Sequence, residues 1–137
     1  MADITVTAAN VVPDSGYQYV DGTAGETITA GQALYLKSSD SKYYKADCND
    51  ATAENRTLAG IALHGGSAGQ PLRVMTAGTV TIGATVAVGT IYVLSATAGG
   101  IAPSTDLVSG WYTTIIGIAT TTGKIKLSIL NSSVAVP

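Results

Sequence analysis

Charge and cysteine are both scarce in this sequence, and each shortage restricts what the chain can be. Charged residues make up 12% of its 137 residues, against ~25% in a typical soluble domain. The single cysteine, Cys48, excludes an intrachain disulfide and a multi-cysteine metal site, and it suits assembly in a reducing cytosol. We expect one domain whose core needs no disulfide, metal or cofactor.

Basic residues are too few and too scattered to form a nucleic-acid site. Seven Lys and Arg are spread among nine acidic residues, and the sequence pI is about 5.0. Nucleic-acid binding needs a basic patch or stripe, so we expect no nucleic-acid partner. So little charge also gives weak protection against association. We therefore expect partners to cover much of a surface rich in Thr, Ser, Gly and Ala.

Residues 74–105 contain no charged residue at all, which raises the question of a membrane span. Against a span, Thr79 and Thr81 alternate with Val80 and Ile82, and glycines interrupt at short intervals, as in strands and turns. Basic flanks and aromatic belts are missing as well. We expect β-structure in a core or an oligomer interface, and no membrane partner. The first residues also lack signal-peptide features, so we expect assembly in the cytoplasm.

An internal repeat organises the chain around the tripeptide Gly60-Ile61-Ala62, which returns as Gly117-Ile118-Ala119. Aligning the tripeptides places Leu34-Tyr35-Leu36 on Ile91-Tyr92-Val93, while Gly31 meets Gly89 only with a slip of one residue. A duplicated small β unit, packed two to a domain, explains this order. The alternative is chance similarity between β segments rich in Gly and Ala.

The pattern of short strands predicts the fold class. Alternating apolar and polar runs between glycine turns, without a long helical pattern, favour an all-β fold. We expect a compact β-sandwich or barrel-like domain at 23–137, built from two similar β units at about 31–76 and 89–131. Residues 1–22 predict an extended N-terminal arm, and the alternative for them is a first β-strand of the domain.

Two local motifs suggest chemistry without the context that it requires. Residues 65–69 match the G-x-S-x-G nucleophile motif beside His64, but that motif needs a strand-to-helix turn and a histidine that follows the serine. The acidic loop 47–54 departs from the calcium-binding EF-hand spacing and lacks its turn glycine. We therefore expect no enzyme activity and no metal site.

The order of the glycine and apolar motifs across residues 22–131 resembles that of small capsid decoration proteins of tailed bacteriophages, also called cement or head-stabilising proteins. The resemblance rests on residues 25–35, 60–62, 69–74, 77–80, 89–93 and 117–119. It implies a structural, non-catalytic protein on the exterior of the virion. Such a protein binds the outer surface of the capsid, often as a homotrimer, and stabilises contacts between major capsid subunits.

The same resemblance implies that an N-terminal segment engages the capsid lattice. The candidate capsid-binding residues in that segment are Ile4, Val6, Val11, Val12, Tyr17 and Tyr19. The alternative function is a carbohydrate- or receptor-binding module of a phage fibre or adhesin. In that case Tyr43 and Tyr44 would stack on sugars, next to the acidic loop 47–54.

Overall fold

A computed structural model describes residues 3–137, which form a curled antiparallel sheet of ten strands. The strands are β1 (Val11–Pro13), β2 (Gln18–Thr23), β3 (Ala33–Lys37), β4 (Lys42–Lys45), β5 (Gly60–Ala62), β6 (Pro71–Ile82), β7 (Ile91–Leu94), β8 (Ile101–Pro103), β9 (Tyr112–Ala119) and β10 (Lys124–Ala135). Short 3-10 helices lie at Ala8–Asn10, Ala53–Arg56 and Ser104–Asp106. The prediction of an all-β fold is confirmed.

The long strand β6 joins two units of the same topology. Its first half lies between β2 and β5, and its second half lies between β1 and β10. The first unit has the strand order β4-β3-β5-β6-β2, and the second has the order β8-β7-β9-β10-β6. Gly78 separates the two halves with a φ of +109°, a conformation that favours glycine. Each unit is therefore a small curled sheet, and β6 is common to both.

Two turn glycines at equivalent positions show that the repeat extends to backbone conformation. Gly31 and Gly89 have φ values of +86° and +82°. The N–H of Gly31 donates to the carbonyl oxygen of Ala62 over 2.8 Å, and the N–H of Gly89 donates to that of Ala119 over the same distance. The two units thus share turn geometry and hydrogen bonding, as a duplicated unit requires.

The tripeptide glycines mark the tightest approach between strands. A Cβ at Gly60 would collide with the carbonyl oxygen of Met75, and one at Gly117 would collide with that of Lys126. Any side chain at either position would push β5 from β6, or β9 from β10. The glycine of each Gly-Ile-Ala tripeptide therefore meets the same steric requirement.

One detail of the repeat differs from the sequence alignment. Leu34 pairs with Gly60 and Tyr92 pairs with Gly117, so Leu34 is equivalent to Tyr92 rather than to Ile91. The one-residue shift between Gly31 and Gly89 in the alignment continues through β3 and β7. The reason is that each of these turn glycines sets the register of the strand that follows it. The prediction of that register was wrong by one residue, and the correction places two buried side chains in equivalent positions.

Two hydrophobic clusters fill the molecule. The interior of the first unit contains Ala24, Ile28, Leu34, Tyr43, Ala62, Leu72 and Val74. A larger cluster combines the interior of the second unit with the junction between the units, and it includes Tyr35, Ile61, Met75, Val80, Ile101, Ile116 and Ile125. Because this cluster draws on both units, they pack as parts of one domain.

The segment predicted as an arm lies along β6 of its own chain. Val11 pairs with Ile82 in β1, and Thr23 pairs with Pro71 at the far end of β2. Residues 11–23 thus form the edge of the sheet, which is the alternative given above for this segment. The first two residues of the chain lie outside the described residues.

Candidate interaction surface

Four of the six candidate capsid-binding residues, namely Ile4, Val6, Val11 and Tyr17, pack against the large core cluster of the chain's own body. Val11 is 8% exposed and belongs to the large core cluster, while Ile4 and Val6 pack against that cluster from its rim. The N–H of Ile4 also donates to the carbonyl oxygen of Ile101 over 2.9 Å. Ile4, Val6 and Val11 are thus held by the packing of the chain's own body.

Val12 and Tyr19 reach the surface on β1 and β2, and Tyr17 lies in the turn between these strands. Val12 and Tyr19 are 55% and 43% exposed, and Tyr17 is half-buried. The rings of Tyr17 and Tyr19 lie 5.4 Å apart between centroids, with 37° between their planes. The guanidinium carbon of Arg73 lies 3.9 Å from the centroid of Tyr19. We call Tyr17, Tyr19, Arg73 and the neighbouring Asp21 the tyrosine–arginine surface.

An ion pair across β2 and β6 holds this surface in place. Arg73 Nε donates to Asp21 Oδ1 over 2.9 Å, and a second guanidinium nitrogen reaches Asp21 Oδ2 at 3.4 Å. The two residues are register partners on adjacent strands. Hydrogen bonding to Arg73 holds the pKa of Asp21 below its ordinary value, and the same bond raises the pKa of Arg73. The positive charge of the guanidinium is thus balanced by Asp21, and its orientation is fixed before any partner binds.

His64 supports the same region through the backbone. Its Nε2 accepts the N–H of Arg73 over 3.1 Å, and its Nδ1 lies 2.9 Å from the carbonyl oxygen of Gly65. With Nε2 accepting from Arg73, Nδ1 is the ring nitrogen that donates to the Gly65 carbonyl oxygen. The N–H of Ser67 donates to the side chain of Gln70. The imidazole of His64 and the backbone N–H of Ser67 therefore both take part in hydrogen bonds of the hairpin that leads into β6.

The surface combines rigid aromatic rings with a satisfied charge pair. Tyr and Arg are the residues most enriched at protein-interface hot spots. Because contacts within the chain already order these side chains, docking would cost little conformational entropy. Next to the ion pair, a depression of about 430 Å³ is lined by Asp21, His64, Pro71, Leu72 and Arg73. The arrangement suits the docking of a folded protein surface.

The two tyrosines of the alternative function pack against backbone. Tyr43 is 7% exposed, and its ring covers Gly22 so closely that a Cβ there would collide with it. The ring of Tyr44 covers Gly25 in the same way. The hydroxyl of Tyr44 donates to Asp40, and this bond raises the pKa of Tyr44 to about 12. Both rings thus stabilise the contact between β4 and the segment that contains β2.

Carboxylates of the acidic loop 47–54 accept hydrogen bonds from nearby backbone N–H groups. Asp47 accepts the N–H of Asn49, and Asp50 accepts the N–H of Thr52. Partial burial raises the pKa of Asp47, whereas the Thr52 N–H lowers that of Asp50. Within residues 3–137, no group of three or more His, Cys, Asp or Glu side chains could hold a metal ion.

Sequence reasoning identified Tyr17 and Tyr19 but missed Asp21 and Arg73. These two charged residues are 52 positions apart, and only the pairing of β2 with β6 brings them together. The alternation within β6 was the available signal, yet it does not identify the strand beside it.

Comparisons with known proteins add no relative to this picture. No protein-family model matches the sequence, and no curated protein shows significant similarity to it. Across residues 3–137, no helix has the length and apolar character to cross a membrane.

Proposed function

We propose that this chain is a structural virion protein that binds the outer surface of a phage capsid. It stabilises contacts between major capsid subunits, acts as a homotrimer on the virion exterior, and is assembled in the host cytoplasm. The motif order that resembles capsid decoration proteins supports this proposal. The observation that carries it is the ordered, exposed tyrosine–arginine surface, because two of its members belong to the N-terminal segment that the resemblance assigns to the lattice.

The physical properties of the surface fit this role. The Asp21–Arg73 pair is already neutral as a unit, so docking would not bury an uncompensated charge. A capsid offers many identical sites, and an oligomer engages several of them at once, which raises the effective concentration of each contact. Modest contacts through Tyr17 and Tyr19 therefore suffice for stable decoration.

Co-sedimentation with shells of the major capsid protein from the same phage tests the proposal. The wild-type protein is expected to sediment with the shells, and Tyr19→Ala is expected to weaken binding at least about tenfold, as loss of a hot-spot residue does. Val134→Ala, at an exposed apolar position near the end of β10, is the matched control and should bind like wild type. Equal binding by Tyr19→Ala and wild type would refute the role of this surface.

A carbohydrate- or receptor-binding module is the second candidate, and one observation favours it. The depression beside Tyr19 presents a carboxylate and a guanidinium, which are groups that hydrogen-bond to sugar hydroxyls. A glycan array separates the two functions. Specific glycan binding that Asp21→Ala abolishes, together with no binding to shells, would favour the module over the capsid role.

A further inference from the structure

Comparison of the two units shows that part of the outer face of the second unit is exposed, whereas most of the equivalent face of the first unit is buried. One row of cross-strand neighbours runs over the outer face of that unit through β6, β10, β9 and β7. The row consists of Thr79, Lys126, Ile118 and Ile91. Ile118 and Ile91 are 44% and 38% exposed, although large β-branched residues at the centre of a sheet normally pack against a neighbouring layer. We call these four residues the isoleucine row.

The equivalent row in the first unit is covered at three of its four positions. It consists of Tyr19, Met75, Ile61 and Ala33, in the same order across β2, β6, β5 and β3. Met75, Ile61 and Ala33 are each 0% exposed, and they belong to the core cluster that contains residues of the second unit. The same face of the same fold is thus an interface in one unit and open in the other.

The chemistry of the isoleucine row defines its partner. Lys126 is exposed beside Ile118, and no ion pair of its ammonium group lies within residues 3–137. A fitting partner supplies apolar area next to a carboxylate. A two-fold contact of the row with itself would pair Lys126 with Lys126 or with an apolar or hydroxyl neighbour in the row, and neither arrangement supplies a carboxylate for the ammonium group. A heterologous contact, which joins two different patches and allows a ring to close, can supply the carboxylate.

The first unit carries such a patch. A depression of about 380 Å³ is lined by Leu36, Glu54, Thr57, Leu58 and Ala59. Leu36 is 45% exposed at its rim. Glu54 is held in place because its two carboxylate oxygens accept the N–H and the hydroxyl of Ser38 over 3.1 and 2.6 Å. Apolar area and a fixed carboxylate thus stand together, complementary to Ile118 and Lys126.

We propose that the isoleucine row of one copy docks head-to-tail on the Leu36–Glu54 depression of the next copy, with Lys126 paired to Glu54. The inference rests on the oligomeric part of the proposed function and names its interface. It assigns self-association and capsid binding to different surfaces, because the tyrosine–arginine surface takes no part in this contact.

Charge-reversal variants test the pairing of Lys126 with Glu54, with the oligomeric mass measured by light scattering and sedimentation. The wild-type protein should have about three times the mass of the 13.8 kDa chain. Lys126→Glu and Glu54→Lys are each expected to weaken self-association at least about tenfold, as interfacial charge mismatches do. The double variant should restore it. Failure of the double variant to recover the mass lost by both single variants would overturn the pairing.

Ile118→Lys provides the apolar test, and Val134→Lys is its control at another exposed apolar position. Ile118→Lys should yield folded monomers, checked by circular dichroism, and Val134→Lys should retain the oligomer. An Ile118→Lys protein with the same oligomeric mass as wild type would overturn the inference. This holds even if the variant failed to bind shells, because the isoleucine row would then face the shell and not another copy. A trimer retained in that variant leaves the proposed function standing, whereas a monomeric wild type contradicts the oligomeric part of both.

Discussion

At the scale of single residues, the duplicated glycines carry the clearest steric requirement. Gly60→Ala and Gly117→Ala are each expected to lower the free energy of unfolding by about 1–3 kcal/mol, because the new Cβ would overlap a carbonyl oxygen on the neighbouring strand. Urea denaturation measures the loss. Gly123→Ala is the matched control, since Gly123 has open space around it and no left-handed φ. It should change stability by less than about 0.5 kcal/mol.

Tyr44 gives a second prediction at this scale, through its titration. Its pKa is raised to about 12, chiefly because its hydroxyl donates to Asp40. Asp40→Asn removes the carboxylate that stabilises the protonated phenol, so the pKa should fall toward the ordinary value of 10.0. NMR of carbon-13-labelled tyrosine measures it, and Tyr44→Phe identifies the resonance. An unchanged Tyr44 titration in Asp40→Asn would contradict the assigned hydrogen bond.

At the scale of elements, the Asp21–Arg73 pair links β2 to β6 and predicts a pH dependence. Because the folded pKa of Asp21 lies below its ordinary value, the pair stabilises the folded state above the unfolded pKa. That contribution is lost as the pH falls through the folded pKa. Arg73→Gln should raise the pKa of Asp21 in a carboxyl-carbon NMR titration. Asp50, whose pKa is lowered by the Thr52 N–H, should titrate as in wild type and serves as the internal control.

The pairing of β1 and β2 with β6 also changes what removal of the N-terminal segment should do. Deleting residues 1–22 removes β1 and almost all of β2, which leaves one side of β6 without a partner. Exposed strand edges promote aggregation. We expect the truncated protein to lose its cooperative thermal transition and to aggregate, as followed by circular dichroism and light scattering. A stable, soluble truncated protein would show that β6 tolerates a free edge.

The same elements show how far the sequence predicts the structure. Alternation in β6 and β10 and the glycine turns are local signals, so the all-β class and the repeat follow from them. The position of residues 11–23 depends on pairing with β6, about 50 to 70 residues later in the chain, which local periodicity does not encode. For that reason Val11 was assigned to a capsid contact although it is buried, and Asp21 was not linked to Arg73.

At the scale of the whole molecule, duplication explains both the core and the surface that remains open. Two units of one topology share β6, and the contact between them buries Met75, Ile61 and Ala33 on the outer face of the first unit. The second unit has the same face without a third unit to cover it. The low charge of the sequence thus has a structural counterpart in an apolar face suited to association with further copies.

Cryo-electron microscopy of major-capsid-protein shells incubated with the purified protein tests the central proposal most directly. We expect added density on the outer shell surface, arranged as closed rings of three copies, with β2 and its tyrosine–arginine surface facing the shell. Shells that carry no added density at saturating protein would contradict the capsid role. Density that contacts the shell through the isoleucine row would contradict the assignment of the two surfaces.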